Sequence, residues 1–238
     1  MIATPPGSHL ADARSAAAAA LPSLVEKPPA VDAAQARLLA ALDPAPWIGF
    51  NRRFDPTVRR LREGLDRRGP LRFELTFRYR RAAWQARIVK DDPLLDVGTH
   101  LLDLARWLST SDIRRVRAET LTSRRCRLEL ELDSATASIS CANDRPYLER
   151  VTVSDAHGSR LGSSSRGGVV DAVRARLRPG TNPLLESLTA ELAAFCEAVR
   201  GRADHDELAT AADGAGAMAA VDAARGSAAL DGAWVVVN

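Results

Sequence analysis

The stretch Leu94–Leu108 reads LLDVGTHLLDLARWL, and it decides how the rest of the chain is interpreted. Its apolar residues recur at helical spacing, which predicts a buried amphipathic helix. Asp96 and His100 are four residues apart and therefore share one face of this helix. A carboxylate beside an imidazole fixes the tautomer of the ring and raises its basicity, as a proton-transferring histidine requires. The alternative for the pair alone is an N-cap aspartate followed by a partly buried histidine.

Composition narrows the class of protein. The chain has 238 residues, a formal net charge of +3, 46% hydrophobic and 26% charged residues, which is typical of a globular protein with a sizeable core. The arginines are scattered, so we expect no nucleic-acid partner. No apolar run reaches membrane-spanning length and no signal peptide is recognisable, which predicts a cytoplasmic protein without a membrane partner. The spacing of Cys126, Cys141 and Cys196 predicts neither a disulfide framework nor a metal site.

The first fifty residues alternate between strand-like runs and helical segments. Ile2-Ala3 is typical of the end of a strand, and a Pro/Gly/Ser turn follows it. The pattern then predicts helices at 10–21 and 31–42 and strands at 23–26 and 46–50. Strands and helices that alternate at this pitch are typical of half of a doubly wound parallel sheet. We therefore expect residues 1–50 to be the C-terminal part of a dinucleotide-binding, Rossmann-like domain.

Residues 51–238 show a different organisation, in which strands follow one another. The pattern predicts strands at 71–79, 115–121, 126–132, 135–141, 148–154 and 233–237, a Gly/Ser-rich surface loop at 158–168, and helices at 57–68, 169–177, 184–200 and 206–224. Successive strands with short connections predict an antiparallel meander. The expected fold class is α/β plus α+β: a partial Rossmann-like parallel fragment, then a mostly antiparallel sheet flanked by helices. The terminal helix 206–224 is a candidate to return to the first domain.

Short motifs occur in a recognisable order along the whole chain. They are Ala3-Thr4-Pro5-Pro6 with His9, Glu26-Lys27-Pro28, Gly49-Phe50-Asn51-Arg52-Arg53-Phe54, Asp96 with Gly98, His100 and Asp103, and Gly232-Ala233-Trp234-Val235. In this order the chain resembles the Gfo/Idh/MocA family of NAD(P)-dependent oxidoreductases, related to glucose–fructose oxidoreductase and inositol dehydrogenase. Each motif is weak alone, but five in the right order are together specific.

The resemblance implies a catalytic set and an activity. Lys27 would hold the reacting hydroxyl and stabilise charge on its oxygen, while His100 would take the hydroxyl proton and Asp96 would orient the substrate or the ring. The implied reaction oxidises a secondary alcohol of a sugar or cyclitol, or reduces the matching ketone, by hydride transfer with NAD or NADP. Lys27 at a strand end is alternatively an ordinary solvated lysine.

The resemblance also implies binding residues and a partner. The residues expected near the cofactor are Thr4, Pro5, His9, Glu26, Lys27 and Pro28. Arg53 and Trp84 are candidates to line the substrate pocket; the alternatives are a structural ion pair for Arg53 and packing for Trp84. The family implies a homo-oligomer through the antiparallel sheet. The face of Leu128, Leu130 and Leu132 is a candidate contact, with core packing as its alternative.

Two departures from the family pattern stand out. The residues before the His100 helix, Lys90-Asp91-Asp92-Pro93, replace a stretch that is usually glycine-rich, so the pocket shape and the substrate stay open. The family's opening strand, Gly-x-Gly-x-x-Gly turn and helix are not in this sequence, which corresponds to roughly sixty to seventy residues. Three explanations remain open: a gene model that starts late, a missing half supplied by another chain or an upstream domain, and a cofactor-free or non-catalytic oligomeric partner protein.

Overall fold

A computed structural model describes residues 1–65, 69–80, 92–167, 183–202 and 206–238. The helices are α1 (Pro6–Ala18), α2 (Ala33–Ala40), α3 (Pro56–Glu63), α4 (Thr99–Ser109), α5 (Pro183–Val199) and α6 (Ala211–Ala229). The strands are β1 (Leu24–Glu26), β2 (Trp47–Gly49), β3 (Leu71–Arg80), β4 (Ile113–Leu121), β5 (Arg125–Leu132), β6 (Ala135–Ala142), β7 (Asp144–Asp155), β8 (Arg160–Gly167), β9 (Ala209–Thr210) and β10 (Val235–Val236). A 3₁₀ turn spans Asn51–Phe54, and a π-helical turn, Leu94–Gly98, leads into α4.

A small sheet forms at the start of the chain. β1 and β2 are parallel, Ile2 forms a parallel bridge with Val25 on the other side of β1, and β9 adds to β2 in the antiparallel direction. The helices between these strands start where the sequence provides a signal, since Pro lies in the first turn of α1 and the Asp32 side chain caps α2 by accepting from Gln35 N at 2.8 Å. The predicted parallel fragment is therefore confirmed, while the two-residue β9 was not predicted.

The second sheet has seven strands in the order β10-β4-β5-β6-β3-β7-β8. Strict alternation in β3 turns Leu71, Phe73, Leu75, Phe77 and Tyr79 into the core. β4, β5 and β6 form the predicted antiparallel meander, but β3 enters between β6 and β7, parallel to the first and antiparallel to the second. The expected pairing of β6 with β7 is therefore wrong. Alternation predicts which face of a strand is buried, but it does not determine which strands are its neighbours.

Three other expectations are corrected. The predicted surface loop at 158–168 contains β8, which pairs with β7 through its backbone although its sequence is rich in Gly and Ser. Leu128, Leu130 and Leu132 are core residues and cannot form the expected contact between copies. The terminal helix starts at Ala211, because Thr210 and Asp213 form a capping box there. The predicted helix at 169–177 and Trp84 lie outside the described residues.

Hydrogen bonds join helix α6 to α2, which follows β1 of the small sheet, and to β4 of the large sheet. The Asp222 carboxylate accepts from Ala33 N at 2.9 Å at the start of α2, and the Ser227 hydroxyl accepts from Ala118 N in β4, also at 2.9 Å. A Cβ at Gly214 would lie 2.8 Å from Ile48 Cγ1, so this glycine permits the close approach of α6 to β2. The helix thus fixes the small sheet relative to the large one. Among the described residues, none of the helices has the length and apolar character needed to cross a membrane.

Candidate active site

Lys27 and Asp96 meet where the two sheets adjoin. Lys27 follows β1, and its Nζ donates to the main-chain oxygen of Asp96 at 2.5 Å and to Asp96 Oδ1 at 3.0 Å. The hydroxyl of Tyr79, at the end of β3, donates to the other carboxylate oxygen. The Lys27 side chain is 22% exposed and the Asp96 side chain 18%. The structure therefore brings together two of the three predicted catalytic residues and adds Tyr79, which sequence reasoning did not select.

His100 lies in the first turn of α4 and is only 5% exposed. Its ring packs edge-on against Phe50, with 5.8 Å between the ring centroids, and its Nδ1 is buried without a hydrogen-bond partner. Burial lowers the pKa of His100 well below its usual value, and the positive charges of Lys27 and Arg52 lower it further. The imidazole is therefore uncharged at neutral pH and available as a base.

The expected contact between Asp96 and His100 is not formed. Both residues are described, and no hydrogen bond joins them, because Lys27 and Tyr79 occupy the carboxylate oxygens of Asp96. An ammonium is a stronger partner for a carboxylate than a neutral imidazole. Asp96 therefore does not bond the ring in this structure, and its expected role of orienting the substrate or the ring stays a prediction.

Arg53 is held in an ion-pair network. Its Nε donates to Asp103 Oδ2 at 2.9 Å, its Nη2 donates to Asp103 Oδ1 at 2.5 Å, and Nη2 lies 3.2 Å from Asp213 Oδ2. Both Arg53 and Asp103 are buried, and burial raises the pKa of Asp103 although Arg53 opposes this. Through this bidentate ion pair, Arg53 links the 3₁₀ turn to Asp103 in α4. These contacts match the ion-pair alternative, and a substrate-binding role for Arg53 stays a prediction.

The neighbouring Arg52, unlike Arg53, has buried donors without a hydrogen-bond partner. It is buried, its Nε lies 3.4 Å from Glu149 Oε1, and its guanidinium packs over the ring of Phe77. Its Nε and Nη1 are buried and have no hydrogen-bond partner. Glu149 accepts from the Tyr147 hydroxyl at 3.1 Å, and burial raises the pKa of Glu149 against the effect of Arg52. The motif that contains Arg53 also contains Arg52, and only the turn geometry distinguishes the two.

The residues expected at the cofactor make mostly structural contacts. His9 is buried, with Nε2 2.7 Å from the Thr4 carbonyl oxygen and Nδ1 3.2 Å from that of Pro29. The Thr4 hydroxyl donates to Asp12 Oδ2 at 2.6 Å. These contacts fasten the loop that contains Pro5 to the segment after Lys27-Pro28. The roles of Thr4, Pro5, His9 and Pro28 at a cofactor stay predictions.

Two carboxyl groups near the site, those of Glu26 and Glu191, influence each other electrostatically. Glu26 accepts from Lys27 N at 3.2 Å, and burial raises the pKa of Glu26. Glu191, in α5, is 1% exposed, and its Oε2 has no hydrogen-bond partner. Burial raises the pKa of Glu191 to about 8, the negative charges of Glu26 and Asp103 add to the effect, and Arg53 and Arg52 oppose it. Sequence reasoning missed Glu191, although its helical spacing from Ser187 and Ala194 places it on the buried face of α5.

A small, partly parallel sheet meets a large, mostly antiparallel sheet, and Lys27 and Asp96 lie where the two sheets adjoin. Residues 69–178 match the family model described as the GFO/IDH/MocA C-terminal domain. The matched residues make up a little under half of the chain and confirm the resemblance, and the mixed α/β architecture confirms the expected fold class.

Solved structures of dehydrogenases share the fold. The chain is 20% identical to the scyllo-inositol dehydrogenase of Lactobacillus casei with bound NAD(H) and scyllo-inositol, with a TM-score of 0.76 over 100% of this chain and 79% of that one. It is 18% identical to the myo-inositol dehydrogenase of Lactobacillus casei in complex with NAD(H) and myo-inositol, with a TM-score of 0.76 over 99% of this chain and 76% of that one. It is 23% identical to GenD2 from gentamicin A biosynthesis in complex with NAD, with a TM-score of 0.75 over 99% of this chain and 77% of that one. No curated protein matches the chain.

The described residues fit one end of a nicotinamide cofactor. An ammonium has three N–H donors, of which Lys27 uses two on Asp96, so one remains for a ligand beside Glu26. The Gly-x-Gly-x-x-Gly turn that binds the pyrophosphate in dinucleotide-binding folds is not part of these 238 residues. A nicotinamide cofactor would therefore meet Lys27 at one end, while the turn that would hold its pyrophosphate is not among these residues.

Proposed function

We propose that this chain acts in an NAD(P)-dependent oxidoreductase that oxidises a secondary alcohol of a sugar or cyclitol, or reduces the matching ketone. The observation that carries the proposal is the juxtaposition of Lys27, fixed by Asp96 with one N–H to spare, and His100, which is uncharged. In this proposal residues 1–50 form the nucleotide side of the site and residues 51–238 the substrate side.

Lys27 fixes the reacting oxygen. Because Asp96 takes two N–H groups of the ammonium, the third has a defined direction and can donate to the hydroxyl of the substrate. A cation held in this way stabilises the negative charge that develops on the oxygen as the alcohol becomes a carbonyl. Asp96 thus serves the reaction by holding Lys27.

His100 accepts the hydroxyl proton. The imidazole is uncharged because of its burial and because of the charges of Lys27 and Arg52, so a ring nitrogen is free to act as the base. The bound nicotinamide supplies the acceptor for the hydride that leaves the same carbon. The proton on His100 and the hydride together account for the two hydrogens that the alcohol loses.

A polyhydroxylated substrate matches the unused polar atoms of this region. Buried polar atoms with neither a hydrogen-bond nor an ion-pair partner include a donor, Arg52 Nη1, and the acceptors or ring atoms Asn51 Oδ1, His100 Nδ1 and Glu191 Oε2. Every hydroxyl of a sugar or cyclitol both donates and accepts, so such a substrate can satisfy a mixed set of this kind. The solved relatives named above that contain scyllo-inositol or myo-inositol support this substrate class.

The active form is proposed to be a cytoplasmic homo-oligomer. The face of the large sheet that points away from the helices carries paired charges of both signs, with Arg115 2.6 Å from Glu131 and Arg127 3.1 Å from Glu119. Such a surface is complementary to a second copy of itself. Light scattering on the purified chain tests this, and a monomer at micromolar concentration would contradict it. Free thiols at Cys126, Cys141 and Cys196 suit the cytoplasm.

Titration with NADH and NADPH, followed by nicotinamide fluorescence and calorimetry, tests the proposal. Saturable binding at micromolar concentration is expected, and the ratio of the two affinities assigns the cofactor. Turnover is then measured with a panel of inositols and hexoses. A folded sample that binds neither nucleotide at millimolar concentration would refute the activity for this chain, and would favour the alternative of a cofactor-free partner protein.

A further inference from the structure

Tyr79 joins the large sheet to the lysine. It is the penultimate residue of β3, and the alternation of that strand points its ring into the core, where it is 2% exposed and packs edge-on against Phe77. Its hydroxyl lies at the boundary of the core and donates to Asp96 Oδ2. A buried tyrosine with its hydroxyl directed at a site residue combines a rigid ring with one fixed hydrogen bond.

Asp96 is the connection between Tyr79 and Lys27. It lies in the middle of the π-helical turn Leu94–Gly98, and both its carbonyl oxygen and its Oδ1 accept from Lys27 Nζ. A single contact would leave the carboxylate free to rotate about its terminal bond, because that rotation is soft. With Tyr79 on Oδ2 and Lys27 on Oδ1, the plane of the carboxylate is defined from both sides.

We propose that Tyr79 is a positioning residue of the active site, whose hydroxyl fixes the Asp96 carboxylate so that Asp96 holds the Lys27 ammonium in one direction. The importance of this role for catalysis rests on the function proposed above. The effect of Tyr79 on Lys27 does not depend on that proposed function, because the reactivity of Lys27 can be measured without turnover.

Loss of the Tyr79 hydroxyl has a defined consequence. Tyr79→Phe keeps the ring and its packing, but it removes the hydrogen bond from the Tyr79 hydroxyl to Asp96 Oδ2. Lys27 is held less firmly, so the third N–H of its ammonium no longer keeps one direction. Misplacement of a catalytic group by a fraction of an ångström costs reaction rate more than binding, so we expect kcat to fall about tenfold with KM changed less than about twofold.

The direct test measures the reactivity of Lys27 in the full chain. The sequence contains only two lysines, Lys27 and Lys90, so trace acetylation followed by mass spectrometry reports Lys27 against an internal reference. In both Tyr79→Phe and Asp96→Asn we expect Lys27 to be acetylated several-fold faster relative to Lys90. In the double variant, Tyr79→Phe should add nothing to Asp96→Asn, because the hydroxyl acts through the carboxylate.

Tyr147→Phe is the matched control. Tyr147 is the other tyrosine of the chain, and its hydroxyl donates to Glu149 instead of Asp96. Its loss should leave the acetylation of Lys27 unchanged. Unaltered Lys27 reactivity in a folded Tyr79→Phe protein, or an equal increase in Tyr147→Phe, would overturn the proposal. If the unmodified chain shows no turnover, the proposed function fails, and the acetylation pattern still decides the role of Tyr79.

Discussion

Replacement of Glu191 by glutamine should remove a penalty on folding that grows with pH. The ordinary pKa of this carboxyl is 4.5, and in the fold it is raised to about 8 by burial and by the charges of Glu26 and Asp103. Between these two values the folded chain holds a proton that the unfolded chain has released. Stability is therefore highest below pH 4.5, falls as the pH rises through this window, and levels off above about pH 8.

The size of the effect follows from the separation of the two pKa values, which corresponds to at most about 5 kcal/mol at 1.36 kcal/mol per pH unit. Glutamine resembles the uncharged acid in shape and carries no titratable proton. We therefore expect Glu191→Gln to match the unmodified chain within about 1 kcal/mol near pH 5, and to exceed its stability by about 3–5 kcal/mol near pH 9.

Urea unfolding, followed by tryptophan fluorescence and circular dichroism at several pH values, measures this difference. Glu186→Gln is the matched control, since Glu186 lies exposed in the same helix and should give a difference that hardly depends on pH. If the Glu191→Gln and unmodified curves remain parallel from pH 5 to pH 9, Glu191 is charged in the fold and the reasoning fails.

Three further predictions concern the paired charges. Arg53→Met should destabilise the chain by about 3–5 kcal/mol in urea unfolding, because Asp103 stays buried without its bidentate partner. Arg59→Met is the control: it loses only an exposed ion pair with Glu207 and should cost less than about 1 kcal/mol. Lys27→Met should lower kcat by about a thousandfold in steady-state assays with little change in stability, and an unchanged kcat would exclude a catalytic role for Lys27. The same variant should raise the pKa of His100, measured by imidazole nitrogen NMR, because one of the positive charges that lower it is removed; an unshifted resonance would show that the lysine is too far away.

Sequence reasoning predicted the fold class correctly, since strand alternation, helix periodicity and short motifs are local signals, while the roles of Lys27, Asp96 and His100 stay predictions. It singled out Arg53 and passed over Arg52, because two adjacent arginines look alike until the 3₁₀ turn directs Arg53 to Asp103 and Arg52 to Glu149. It placed β3 correctly but not its neighbours, because pairing depends on contacts between distant segments. Tyr79 was likewise recognised as a strand residue, and only the tertiary structure shows which group its hydroxyl meets.

The charges around the site explain why its two unpaired groups are neutral. Each cation of this region has its own carboxylate: Lys27 has Asp96, Arg52 has Glu149, and Arg53 has Asp103. Among the described residues no salt bridge balances Glu191 or His100, so burial is the largest influence on the protonation of both groups. A charged His100 would be repelled by Lys27 and Arg52, and a charged Glu191 by Glu26 and Asp103. The same surroundings keep the histidine unprotonated and the glutamate protonated, so the site holds an uncharged imidazole as proton acceptor beside the Lys27 ammonium.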